Sequence, residues 1–145
     1  MAYQFIQLTD VSVGAVAVDA LLPLGNVTRK NADGTRCQDT FLVTTSGSDT
    51  VTITEAGWYK ISYVGSLVAQ DAGLVTLNLV SNNVVVNTVS ETAAAGDTVN
   101  ISLEYIVRVF PSCRATSNMP VALQIINAGV ALTGGTSNLI IEKIK

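Results

Sequence analysis

The stretch Asp97-Thr98-Val99-Asn100-Ile101-Ser102-Leu103-Glu104-Tyr105-Ile106-Val107-Arg108-Val109 alternates in polarity along its whole length. Its odd positions are all apolar or aromatic after Asp97, while Thr98, Asn100, Ser102, Glu104 and Arg108 take even ones. A period of two is the mark of a β-strand with one face in a core. Working outward, residues 57–69 behave alike: Tyr59, Ile61, Tyr63 and Leu67 share one face, and Lys60, Ser62 and Ser66 the other, which Val64 and Val68 interrupt. Shorter candidates are residues 3–8, 11–18, 39–44, 50–54, 74–80, 84–89, 121–127 and 138–144. Turn-forming residues fall between the runs, as in Ala32-Asp33-Gly34, Ser81-Asn82-Asn83, Ala95-Gly96-Asp97 and Thr133-Gly134-Gly135-Thr136. Ser90 to Ala95 reads as a loop, being too short for a stable helix. About ten short strands without a helix mean a sandwich or barrel. With no linker or repeat in sight, residues 1–145 are expected to form a single domain.

Composition supports this and excludes several functions. Twenty Val, ten Ile and sixteen Thr make the chain strongly β-branched. Only 13% of residues are charged and 48% are hydrophobic, which rules out disorder. There is no His, so His-dependent catalysis and metal binding are excluded. A net charge of −3 argues against nucleic acid, which needs a basic face. Arg29, Lys30 and Arg36 form the one basic cluster, with Asp33 and Asp39 among them, and read as a solvated loop. The start of the chain lacks a secretory signal, and residues 11–24, broken by Gly14, Asp19 and Pro23, are too short to span a bilayer. No membrane partner is expected.

Several runs are apolar on both faces, among them Val84-Val85-Val86, Ile125-Ile126 and Leu139-Ile140-Ile141. A two-sheet sandwich buries only the inner face of each sheet, so such strands call for a second cover. Another copy of the chain is the expected cover, with the chain's own loops as the alternative.

Three segments together resemble a known family. Thr54-Glu55-Ala56-Gly57-Trp58-Tyr59-Lys60-Ile61-Ser62 resembles the segment that opens a core strand in jelly rolls of the tumour-necrosis-factor and complement-head type. Ala95-Gly96-Asp97-Thr98-Val99-Asn100-Ile101 is similar to that family's Gly-Asp segment before an alternating strand, and residues 132–144 resemble its closing strand. The pattern looks most like the C-terminal domain of collagen-like glycoproteins on bacterial spores, and covers roughly residues 40–145. The resemblance implies an all-β, ten-stranded antiparallel jelly-roll sandwich that assembles as a homotrimer. It makes Tyr59, Tyr63, Tyr105 and Phe110 candidates for the trimer axis or the intrachain core. Trp58 is expected on the face opposite Tyr59.

No Gly-X-Y stalk precedes the matched region, which favours a free-standing trimer head. The expected role is a structural protein on the surface of a bacteriophage particle, a capsid decoration or head fibre assembled in the bacterial cytoplasm. Expected partners are other virion proteins such as the major capsid protein, and a host surface glycan or protein. A spore-surface trimer and a receptor-binding fibre tip are the alternatives. Residues 1–24 are either a virion-attachment segment, with Tyr3, Phe5, Ile6 and Leu8 as contact candidates, or the first strand pair. Catalysis is not expected, because the eleven acidic residues mark out no pair and neither Lys30 nor Lys60 sits in a Ser-x-x-Lys context. No calcium loop or zinc spacing is present, and no cofactor is expected. Cys37 and Cys113 lie 76 positions apart without neighbouring ligands, which leaves a disulfide within the chain, one between subunits, or two free thiols.

Overall fold

A computed structural model describes residues 4–31, 42–44, 49–111, 113 and 120–144. Among these the ordered elements are ten β-strands: β1 (Gln4–Val13), β2 (Asn26–Asn31), β3 (Leu42–Thr44), β4 (Val51–Ile53), β5 (Gly57–Ala69), β6 (Gly73–Ser81), β7 (Val84–Ala93), β8 (Thr98–Val109), β9 (Val121–Asn127) and β10 (Leu132–Lys143). They build two five-stranded sheets, β2-β1-β10-β5-β8 and β3-β4-β9-β6-β7, with every described pairing antiparallel. Chain neighbours such as β4 and β5 alternate between sheets, which is the connectivity of a jelly roll.

The core follows the period-two pattern. Along β5 the inward set is Tyr59, Ile61, Tyr63, Leu67 and Ala69, and along β8 it includes Ile101, Leu103, Val107 and Val109, all buried. Ile6, Leu8, Leu139 and Ile141 complete the first sheet's inner face, against Val51, Ile53, Val75, Leu77, Leu79, Leu123 and Ile125 of the second. Each fully buried aliphatic side chain contributes about 1.5–3 kcal/mol relative to an exposed one. Gly65 shares the inward face of β5, and a methyl group there would meet the Tyr63 hydroxyl at 2.9 Å and Leu67 Cγ at 3.3 Å. Tyr63 therefore lies over a position that has to be small.

The chain ties its two sheets together at two places. On one side the segment 14–25 passes from sheet to sheet, with Val16 bridging Leu132 of β10 and Leu21 bridging Ile126 of β9. Leu22 and Leu24 from this segment are buried. Asn127, itself fully buried, holds the segment, its Nδ2 donating to Val130 O at 2.9 Å and, over longer distances of 3.3 and 3.4 Å, to Ala17 O and Val16 O. On the other side Asn87 Nδ2 of β7 donates to Glu104 O of β8 at 2.8 Å, linking the two edge strands.

The differences from the sequence reading have local causes. Residues 3–8 and 11–18 do not form separate strands; β1 runs unbroken through Thr9 and Asp10 and ends at Val13, with an irregularity between Asp10 and Val13. Arg29 and Lys30 stand in β2, not in a loop, because pairing to β1 supplies the backbone hydrogen bonds whatever the side chains. Ser90 to Ala93 extends β7. Thr133–Thr136 lies inside β10, where Gly135 has φ 140° and a Cβ would strike Ser66 O at 2.2 Å. That glycine pair serves a close strand approach, and not a turn.

Candidate functional site

The outer face of the first sheet carries the most distinctive surface. Register places Phe5, Glu142, Lys60 and Ile106 in one row, with Gln7, Ile140, Ser62 and Glu104 in the next. Thr9, Asn138, Val64 and Ser102 form a third row, and Trp58 stands beside Arg108 at the end where β1 starts and β10 finishes. Apolar side chains protrude among polar ones: Val64 is 54% exposed and Ile106 53%. Ile140 is half-buried.

Between them the polar groups satisfy one another. Gln7 Nε2 donates to Asn138 Oδ1 at 2.8 Å, and Thr9 Oγ1 donates to the same oxygen at 3.3 Å. Ser66 Oγ donates to Asn100 Oδ1 at 2.9 Å. Charges occur in both signs, with Lys60 Nζ 3.9 Å from Glu104 Oε1. The Arg108 guanidinium lies 5.3 Å from the centre of the Trp58 ring and 4.5 Å from that of Phe110, within cation–π range of both. A face that mixes exposed aliphatics with paired amides and hydroxyls suits contact with another protein surface.

Tyr59 and Tyr63 point away from this face, into the sandwich. The Tyr59 hydroxyl donates to Glu55 O at 2.6 Å, and its pKa is raised by burial and further by the Glu55 charge. The Tyr63 hydroxyl is buried with no hydrogen-bond partner among the described residues. Burial raises its pKa, the neighbouring Ser137 hydroxyl offsets part of that rise, and Asp10 adds to it. Tyr105 has inward parity but is half-buried, on edge strand β8, and Phe110 is half-buried just beyond that strand. So the four aromatic candidates do not converge on one surface.

Of the attachment candidates, Ile6 and Leu8 are buried in the core and present nothing to a partner, whereas Phe5 is half-buried and faces outward. Tyr3 lies outside the described residues. Residues 4–13 form an inner strand of the first sheet, paired on both sides. Cys113 is exposed between β8 and β9, and Cys37 lies outside the described residues. No group of three or more metal-ligating side chains occurs among the described residues, and no described helix is long and apolar enough to cross a membrane. Sequence reading marked Ile140, within a run apolar on both faces, as needing a second cover, but passed over Ile106 as an outward contact. The available signal was the same as at Val64: an apolar residue interrupting the polar face of an alternating strand.

No protein-family model matches the chain, and no curated protein matches it in sequence. Solved structures do match in shape. Murine APRIL superposes with a TM-score of 0.69 at 8% identity, over 99% of this chain and 100% of that one. The globular domain of zebrafish complement 1qA gives 0.66 at 9% identity, over 98% of each chain. The PRD1 vertex protein P5 gives 0.64 at 14% identity, over 98% of this chain and 97% of that one. The fold is thus the all-β jelly roll of tumour-necrosis-factor ligands and complement heads. None of these three structures is named as an enzyme.

Proposed function

We propose that this chain is a non-enzymatic structural protein that assembles as a homotrimer through the outer face of the β2-β1-β10-β5-β8 sheet. The observation that carries this reading is the exposure of Trp58, Val64 and Ile106 on that face. Burying such groups between copies contributes roughly 25 cal/mol per Å2. In the same reading the trimer sits on the surface of a bacteriophage particle, as a capsid decoration or head fibre made in the host cytoplasm. A jelly roll of the same extent acting as a vertex protein in PRD1 supports this address. The particle partners are virion proteins such as the major capsid protein, and a host surface glycan or protein is a further partner. The spore-surface role rests on the motif resemblance alone, and the fibre-tip role on no separate observation.

Two measurements test the proposal. Light scattering after gel filtration at micromolar concentration should give three times the monomer mass; a monomer would sink the trimer. Antibody-gold labelling of purified particles should decorate the capsid shell, and labelling confined to tails or to spores would move the address.

A further inference from the structure

A cyclic trimer joins two different patches of each copy, because a patch that meets itself is related by a twofold axis and closes as a dimer. The outer face of the first sheet is one patch, and the second has to lie elsewhere on the chain. The side of the sandwich along β7 and β8, the strands at which the two sheets end, has the character of that second patch. Asn87 ties these strands together, yet Val86, Val89, Val99 and Tyr105 pack against the core and are still only half-buried there. Val84, at the start of β7, is 62% exposed. β7 has no Lys or Pro and a single charge, Glu91, so its free edge lacks the residues that usually protect an uncovered strand.

Two polar groups, one on each patch, complement each other. The Tyr105 hydroxyl has no hydrogen-bond partner among the described residues and, unlike that of Tyr63, is not sealed from the surface. Glu142, half-buried on the outer face, has neither hydrogen bond nor ion pair among the described residues. Its register neighbour Lys60 turns toward Glu104. Laying the β7–β8 side lengthwise on the next copy's face sets the rotation axis along the strands, and such a rotation leaves height along the strands unchanged. Tyr105 is level with Ile61 and Ile61 with Ile141, so Tyr105 and Glu142 differ by one residue in height, about 3.4 Å. A tyrosine side chain spans that difference. Within one copy the two cannot meet, because Tyr105 has inward parity, Glu142 faces outward and β5 lies between their strands. The apolar groups match as well. Asn87 reaches Glu104, which lies in the row of Ile140, so the valines beside Asn87 come to the heights of Ile140 and Phe5.

We infer that the β7–β8 side of one copy seats on the β1–β10 part of the next copy's face, with the Tyr105 hydroxyl donating to the Glu142 carboxylate. The inference rests on the proposed trimer and names its second patch. The bond engages a carboxylate that a covered face would otherwise leave unpaired at a cost to assembly.

The test is sedimentation of a dilution series of the full chain, read as the dissociation midpoint, with circular dichroism to confirm that each variant is folded. Val84→Glu sets a carboxylate at an exposed position of this side and should raise the midpoint at least about tenfold. Tyr105→Phe removes only the hydroxyl. It should raise the midpoint by about as much in the wild-type background and have almost no further effect when combined with Glu142→Ala. An unchanged midpoint in Val84→Glu, or an equal effect of Tyr105→Phe with and without Glu142→Ala, would overturn the seating while leaving the trimer standing. A folded wild type that stays monomeric up to about 0.1 mM would remove the trimer itself, and the seating with it.

Discussion

Replacing Asn127 with alanine should release the segment that closes one side of the sandwich. The side chain makes two well-formed bonds, donating from Nδ2 to Val130 O at 2.9 Å and accepting from Gly129 N–H at 3.2 Å. It also makes the two longer contacts to Val16 O and Ala17 O. Asn127 is 0% exposed, so water cannot replace these partners without opening the fold. A buried group left unsatisfied costs about 1–3 kcal/mol, and two of them give roughly 2–6 kcal/mol. That is a large part of the 5–15 kcal/mol typical of a whole domain, and lowers the melting midpoint by roughly 7–20 °C at this chain length. Urea unfolding measures the energy, and amide hydrogen exchange locates it. The amides of Val16, Asp19 and Leu22, bonded to Leu132 O, Asn127 O and Ile125 O at 2.7–2.9 Å, should exchange earlier than those of β5. A variant within about 0.5 kcal/mol of wild type, with those three amides still protected, would refute this account of the closure. Asn127→Asp should be at least as damaging, since it loses the donor and sets a charge among carbonyl oxygens.

The two core tyrosines should respond differently to loss of the hydroxyl. Tyr59→Phe gives up the bond to Glu55 O and should cost about 1 kcal/mol, whereas Tyr63→Phe removes an unpartnered group and should be neutral or stabilising in urea titrations. Gly65→Ala should destabilise by about 1–3 kcal/mol through the clash with Tyr63 and recover in part when Tyr63 is shortened to Leu, seen in the same assay. With no His, the melting midpoint should be flat between about pH 6 and 8. Above about pH 10 the unfolded chain ionises its tyrosines while Tyr59 and Tyr63 stay protonated in the fold, so stability should fall with rising pH, and less steeply in Tyr63→Phe. Deleting residues 1–10 removes β1 pairing on both sides together with Ile6 and Leu8, and should abolish folding; soluble trimers after this deletion would restore the attachment reading.

Strand positions were legible wherever one face meets the core and the other meets water. Residues 57–69 and 121–127 match β5 and β9 end to end, and the Asp97–Val109 run matches β8 but for its first residue. β2 was not legible, because Asn26–Asn31 is polar and is held at an edge by backbone bonds to β1. The start of β10 was misread for a related reason: Gly134-Gly135 has the chemistry of a turn, yet the closeness of Ser66 O is what requires Gly135. Asn127 carried no local signal as an anchor of residues 14–25, since the carbonyls it reaches there, Val16 O and Ala17 O, lie more than a hundred residues earlier.

The candidate face divides in the same way. That Trp58 opposes Tyr59 follows from alternation along one strand, and Val64 can be picked out of a polar face by eye. Which tyrosines look inward at the partner sheet, and which strand ends the sheet beside Arg108, are fixed only once strand order exists. By itself the sequence determined an all-β chain, poor in charge and without His, with its long strands and their two faces, because those depend on spacing within a strand. Only the tertiary structure decided that Glu142 and Lys60 share a row, that residues 14–25 close the sandwich, and that Ile6 and Leu8 are out of a partner's reach. Those facts depend on pairing between strands far apart in the chain, which a period of two does not encode.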